Sequence, residues 1–99
     1  MAIAEVSVVP LGTKTPSVSQ YVARSIKTLE REKGIKYETT AMGTIIEGDL
    51  DRILAVVKKM HEGTFAEGVS RVITWVEIDD RRDKAQDMKA KLDSLKKKL

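Results

Sequence analysis

One histidine, no cysteine and no asparagine leave this 99-residue sequence with few side chains able to carry a reaction. A nucleophilic serine, threonine or lysine needs a positioned base. The only histidine, His61, follows Met60 late in an apolar-striped segment and has no motif around it. We read it as a structural or surface residue. Composition excludes disulfides and thiolate metal sites, and a histidine-based metal site would have a single ligand to work with. Gly12-Thr13-Lys14-Thr15 lacks the preceding glycine spacing of a phosphate-binding loop. A hydrolase of the acylphosphatase kind would need an arginine together with a side-chain amide to position water. The two amides present, Gln20 and Gln86, both fall on predicted helices. The sequence therefore predicts a protein that is not an enzyme and that needs no metal and no cofactor.

Binding chemistry is better represented. Glu5, Glu47 and Glu77 fall on three different predicted strands, where carboxylates are disfavoured unless they lie at an edge or line a polar pocket. Brought together, they would attract a cation. Trp75 precedes Glu77 by two residues and so shares its side of the strand, and an indole face attracts a cation by about 0.5–2 kcal/mol. The combination suits a thiazolium or quaternary ammonium ligand. Nucleic acid is not expected, because a base-stacking sheet needs two or three aromatics on its central strands. Here Tyr21 belongs to a helix stripe, Phe65 to a loop, and Tyr37 and Trp75 to different strands. The charge agrees: eight Lys or Arg against three Asp lie between 81 and 99, which leaves the body of the chain slightly acidic rather than basic.

These side chains must be positioned by a short chain whose size and 41% hydrophobic content fit one domain, residues 1–99, with one modest core. The sequence has no long apolar run and no basic-then-apolar leader, so the expected setting is the cytoplasm, with no membrane partner. Ala2 to Val9 alternates as a strand, with Ala4, Val6 and Val8 on one face and Glu5, Ser7 and Val9 on the other, and Pro10 and Gly12 are expected to stop it. Ser17 is a plausible cap for a helix with a stripe at Val18, Tyr21, Val22, Ser25, Ile26 and Leu29, ending near Lys33 before Gly34. Lys36–Thr40 and Thr44–Glu47 read as a hairpin. Asp49 then caps a helix striped by Leu50, Ile53, Leu54, Val57 and Met60, ending near Gly63. Arg71–Ile78 is the most strongly β-branched strand, and Asp79 and Asp80 are expected to open a third helix, over about 80–99.

The order strand, helix, strand, strand, helix, strand predicts an α+β, ferredoxin-like βαββαβ sheet with both helices on one face and one additional C-terminal helix. In that last helix Ala85, Met88, Leu92, Leu95 and Leu99 are spaced like a packing seam. The seam needs a partner, either its own domain or a second subunit.

Four stretches carry a resemblance. They are Val6-Ser7-Val8-Val9-Pro10-Leu11-Gly12, Met42-Gly43-Thr44-Ile45-Ile46-Glu47-Gly48, Lys59-Met60-His61-Glu62, and Arg71-Val72-Ile73-Thr74 continuing to Ile78-Asp79-Asp80-Arg81-Arg82-Asp83. In this order they resemble the small thiamine-binding-protein family, relatives of the tandem-domain hydroxymethylpyrimidine and thiamine binders. The resemblance implies the same fold, assembly into homodimers that pair as tetramers, and binding of thiamine or its pyrimidine precursor without turnover. Carried onto this sequence, it implies a ligand site that includes Ser7, Thr44, Glu47 and Thr74, with Met42 as an apolar wall and Trp75 added from the strand parity above. A carboxylate at Glu47 could accept from an exocyclic amine and offset a thiazolium charge, with Ser7 and Thr44 supplying direction. An assembly protein without a ligand is the rival reading.

Overall fold

The computed structural model describes residues 1–12, 19–65, 68–84 and 87–99, and for 19–22 the backbone alone. Its elements are β1 (Ala2–Leu11), α1 (Ser19–Glu30), β2 (Ile35–Thr39), β3 (Thr44–Gly48), α2 (Leu50–Phe65), β4 (Arg71–Asp80) and α3 (Met88–Lys98). The strands form one sheet in the order β2-β3-β1-β4, every neighbouring pair antiparallel. Each strand–helix–strand unit thus brackets a strand of the other, which is the ferredoxin-like arrangement.

Strand alternation divides the sheet into two faces. Ala2, Ala4 and Val6 of β1 and Ile46 of β3 are buried together with Leu29 of α1 and Ile53, Val56, Val57 and Met60 of α2. This inner face holds the core. Full burial of a side chain such as Leu29, Ile46 or Ile53 contributes about 1.5–3 kcal/mol. Ile3, Glu5, Ser7, Glu47, Trp75 and Glu77 occupy the opposite, outer face, as the pairings Ile3 with Glu47, Glu5 with Glu77 and Ser7 with Trp75 require. Tyr37 is opposite Ile46 and therefore lies on the inner face, so the two strand aromatics do not form a stacking platform.

Beyond shifts of one residue in β2 and β3, four boundaries differ from expectation for identifiable reasons. β1 continues through Pro10 to Leu11 because β3 pairs with it only as far as Val6. Beyond that point the β3 side of β1 is an edge, where a proline's missing N–H costs no ladder bond. α1 ends at Glu30, and the turn that follows is closed by Arg31 N–H to Thr28 O and Glu32 N–H to Leu29 O. α2 runs past Gly63 to Phe65, and its buried stripe is Ile53, Val56, Val57, Met60 and Thr64. That register turns Leu54 outward, 46% exposed. Finally, Asp79 and Asp80 belong to β4, paired with Ile3 and Ala2, and do not open α3. The cap is Asp87, whose carboxylate accepts from Ala90 N–H at 2.7 Å. Thr13-Lys14-Thr15, the Ser17 cap, Val18 and Ala85 lie outside the described residues, as do the side chains of Tyr21 and Val22.

Candidate functional site

The β2–β3 hairpin is built around Thr40. Its hydroxyl donates to Gly43 O at 2.8 Å and accepts from the N–H groups of Met42 and Gly43, both at 3.2 Å. A Cβ at Gly43 would stand 2.8 Å from Val6 O, so only glycine lets the hairpin close against β1. This tight corner carries Met42 outward, 81% exposed, and turns Thr44 inward, 5% exposed, opposite Val6. Thr44 and Met42 are therefore oriented by Thr40 and Gly43.

Beside the hairpin lies a cleft of about 190 Å³ between β1, β3, α1 and α2, lined by Val6, Val8, Ser25, Met42, Thr44 and Met60 among others. Ser25 and Thr44, both buried residues, supply its hydroxyls. Among the described residues no side-chain polar atom is buried without a hydrogen-bonding partner, so these two hydroxyls, which make no such bond, are accessible from the cleft. Hydroxyls both donate and accept, and thioethers are soft apolar walls, so the cleft can read an uncharged aromatic ring by its edge. Ser7 also lines the cleft, although the alternation of β1 places its side chain on the outer face.

The expected site residues thus separate. Ser7, Met42 and Thr44 meet at the cleft. Thr74 is on the inner face opposite Val8, where its hydroxyl hydrogen-bonds His61 Nδ1 at 2.7 Å, with Phe65 edge-on to the imidazole at 5.4 Å. His61 therefore ties the end of α2 to β4. Glu47 and Trp75 lie on the outer face. Glu47 is 2% exposed and accepts from Met88 N–H, the first of α3, at 3.3 Å. Together Glu47 and Asp87 satisfy two of the amide donors that a helix start leaves open, and the positive end of the helix dipole offsets the buried carboxylate. Sequence reasoning missed Ser25, Thr40 and Met60. The signal was available for Ser25 alone, a hydroxyl inside an otherwise apolar helix stripe.

The outer face carries a second, larger groove of about 850 Å³ between the sheet and α3, floored by Ile3 and Ile45 and lined by Glu5, Glu38, Glu77, Leu92 and Leu95. Register sets Glu38 opposite Ile45, Ile45 opposite Glu5 and Glu5 opposite Glu77, one acidic row across four strands. A third hollow, of about 390 Å³, lies beside Asp49, Asp80, Arg81 and Arg82. Its charges are largely spent on each other: Arg82 binds Asp80 at 2.8 Å, and Arg81 holds Asp83 through two bonds of 2.7 and 3.2 Å. Among the described residues no cluster of carboxylates or histidine has metal-binding geometry, and no helix is long and apolar enough to cross a membrane.

A four-stranded antiparallel sheet with two helices on one face and a small cleft at the hairpin end, lined by the hydroxyl-bearing residues Ser25 and Thr44, defines a ferredoxin-like domain suited to small-molecule binding. A family model described as "Thiamine-binding protein" matches residues 4–96, and the chain belongs to that family. It is 49% identical to the UPF0045 protein YqgV of Bacillus subtilis over all of this chain and 98% of that one. It is 41% identical to a UPF0045 protein of Methanothermobacter thermautotrophicus over the whole of both. Among solved structures, a hypothetical protein of Methanocaldococcus jannaschii superposes with a TM-score of 0.88 at 42% identity, covering 96% of this chain and 95% of that one. A Thermotoga maritima protein provisionally linked to thiamine biosynthesis or salvage superposes at 0.77, covering 95% and 97%; at 20% identity it bears on the fold alone.

Proposed function

We propose that this protein binds thiamine or a related aminopyrimidine, without turning it over, in the cleft beneath the β2–β3 hairpin. The observation that carries the reading is the pair of hydroxyls, borne by the buried residues Ser25 and Thr44, that open on the cleft without a partner among the described residues. An aminopyrimidine edge presents ring nitrogens that accept and an exocyclic amine that donates, and hydroxyls can answer both. Met42 and Met60 pack against the ring faces. The volume suits one substituted ring, so the thiazolium of thiamine would extend beyond the cleft. Membership of a thiamine-binding family supports the ligand class. Storage, delivery or sensing, in the cytoplasmic setting expected from the composition, is the role this binding would serve.

The test is isothermal titration with thiamine and hydroxymethylpyrimidine, with choline in parallel. Saturable binding of the two pyrimidines but not of choline is expected. Silence with all three from a folded protein would overturn the proposal.

A homo-oligomer, dimer or tetramer, is the proposed form, and its supporting observation is α3. None of its residues is buried, and Leu92 and Leu95 are 50% and 54% exposed. The same observation favours the second reading, an assembly protein without a ligand. An oligomer whose cleft stays empty in the titration would select that reading.

A further inference from the structure

β1 outlasts the strand beside it. Its pairing with β3 ends at Val6, opposite Thr44, whereas its pairing with β4 continues to Leu11. In a strand the N–H and C=O of one residue point to the same side, and those of the next residue to the other. Two observations fix which residues of β1 turn towards β3. A Cβ on Gly43 would stand 2.8 Å from Val6 O, so the carbonyl of Val6 faces the hairpin. Pro10, of the same parity, has no N–H to give to a rung shared with β4. Val8 stands between these two and therefore turns its N–H and C=O to the side on which β3 has ended. Among the described residues neither group has a hydrogen-bonding partner. Val8 is half-buried and lines the cleft beneath the β2–β3 hairpin. An unpaired backbone donor and acceptor there call for a partner.

We propose that Val8 is the residue by which the cleft reads a pyrimidine, its N–H donating to a ring nitrogen and its C=O accepting from the adjacent exocyclic amine. This rests on the binding proposed above and names the feature of the ligand that the site selects. A 4-aminopyrimidine edge places an acceptor beside a donor, and one extended residue places a donor beside an acceptor, so the ring takes the place of the next β3 rung. The second amine hydrogen, the other ring nitrogen and the hydroxymethyl group are left to Ser25 and Thr44. A 4-oxo analogue exchanges the roles of its two edge atoms. It meets Val8 only when turned over, which carries its substituents away from those hydroxyls. Because the recognising atoms are main-chain, no side-chain motif carries them.

Amide hydrogen exchange followed by NMR tests this on the intact protein, alone and with hydroxymethylpyrimidine. In the free protein Val8 is expected to exchange fast, while Ser7 and Val9, which face β4, are protected. Saturating hydroxymethylpyrimidine is expected to shift the Val8 amide resonance and to slow its exchange to the pace of its neighbours. The 4-oxo analogue is expected to bind about 10- to 100-fold more weakly, the loss of two hydrogen bonds. Protection of Val8 equal to that of Ser7 in the free protein, or equal affinity for the two forms, would overturn the proposal. Saturable binding that leaves the Val8 amide unmoved would also overturn it, and the function proposed above would stand without it. A protein that takes up neither pyrimidine would remove the proposal together with that function.

Discussion

The packing of Thr44 and the ligand contact proposed for it can be separated experimentally. Valine has nearly the shape of threonine and an equal liking for a strand, so Thr44→Val removes the hydroxyl while keeping the packing against Val6. Loss of a neutral hydrogen bond costs about 0.5–1.5 kcal/mol, so the affinity for hydroxymethylpyrimidine should fall by roughly 2- to 13-fold while the melting temperature holds or rises. An unchanged dissociation constant would remove Thr44 from the site. Asp80 and Asp83 make a different residue-scale prediction. Hydrogen bonds from Arg82 and Arg81 respectively hold their carboxyls below the ordinary value of 3.8. A depressed carboxyl favours the folded state above its ordinary titration range and loses that advantage as pH falls through the lowered value. Carbon-detected NMR titration should place both groups below 3.8, and Arg82→Ala should return Asp80 towards it. Because both pairs are exposed, no measurable change in global stability is expected.

Among the elements, the hairpin and α3 each include a contact that a test can isolate. Gly43→Ala would put a Cβ 2.8 Å from Val6 O, a backbone atom that cannot swing aside. Either the hairpin or β1 must shift, and a destabilisation of about 1–3 kcal/mol is expected in urea titration, with ligand affinity lost as Thr44 moves. A melting curve that matches the native one would show that the approach is looser than this. Glu47 shares the start of α3 with the Asp87 cap. Glu47→Gln keeps the shape but removes the charge that faces the helix dipole, so hydrogen exchange at residues 88–91 should accelerate while exchange in α2 does not. Ala2–Leu11 shows how an element can outrun its local signals: Pro10 reads as a stop in isolation, yet β4 pairs with β1 along its full length. Tertiary pairing overrode local preference there.

For the whole molecule, stability resides in one layer between the sheet's inner face and the two helices. Ile53 is 0% exposed at its centre, and Ile53→Ala should cost about 2–5 kcal/mol in a single cooperative unfolding transition. Two transitions, or a cost below about 1 kcal/mol, would mean that the helices do not form one core with the sheet. Arg52 adds a brace across this layer. It donates to Lys33 O at 2.9 Å beside Gly34, whose φ of 79° is the left-handed conformation that favours glycine. The hairpin cleft and the acidic groove lie on opposite sides of the sheet.

Period-two and period-3.6 patterns are local properties, and they were enough to set the number, type and order of the elements, hence the ferredoxin-like topology. The alternation of Ala4, Val6 and Val8 against Glu5 and Ser7 likewise decided which side of β1 each occupies, because successive strand side chains must point to opposite faces. Chain order could not bring those faces into register. Pairing alone set Glu5 opposite Glu77, buried Glu47 beneath a helix that begins forty-one residues later, and linked His61 to Thr74 across thirteen. It also gathered Ser25 and Thr44, nineteen residues apart, around one cleft. The physical reason is that a strand's pattern fixes the side on which a residue stands, whereas its neighbours across the sheet and the helix that covers it are fixed by long-range packing.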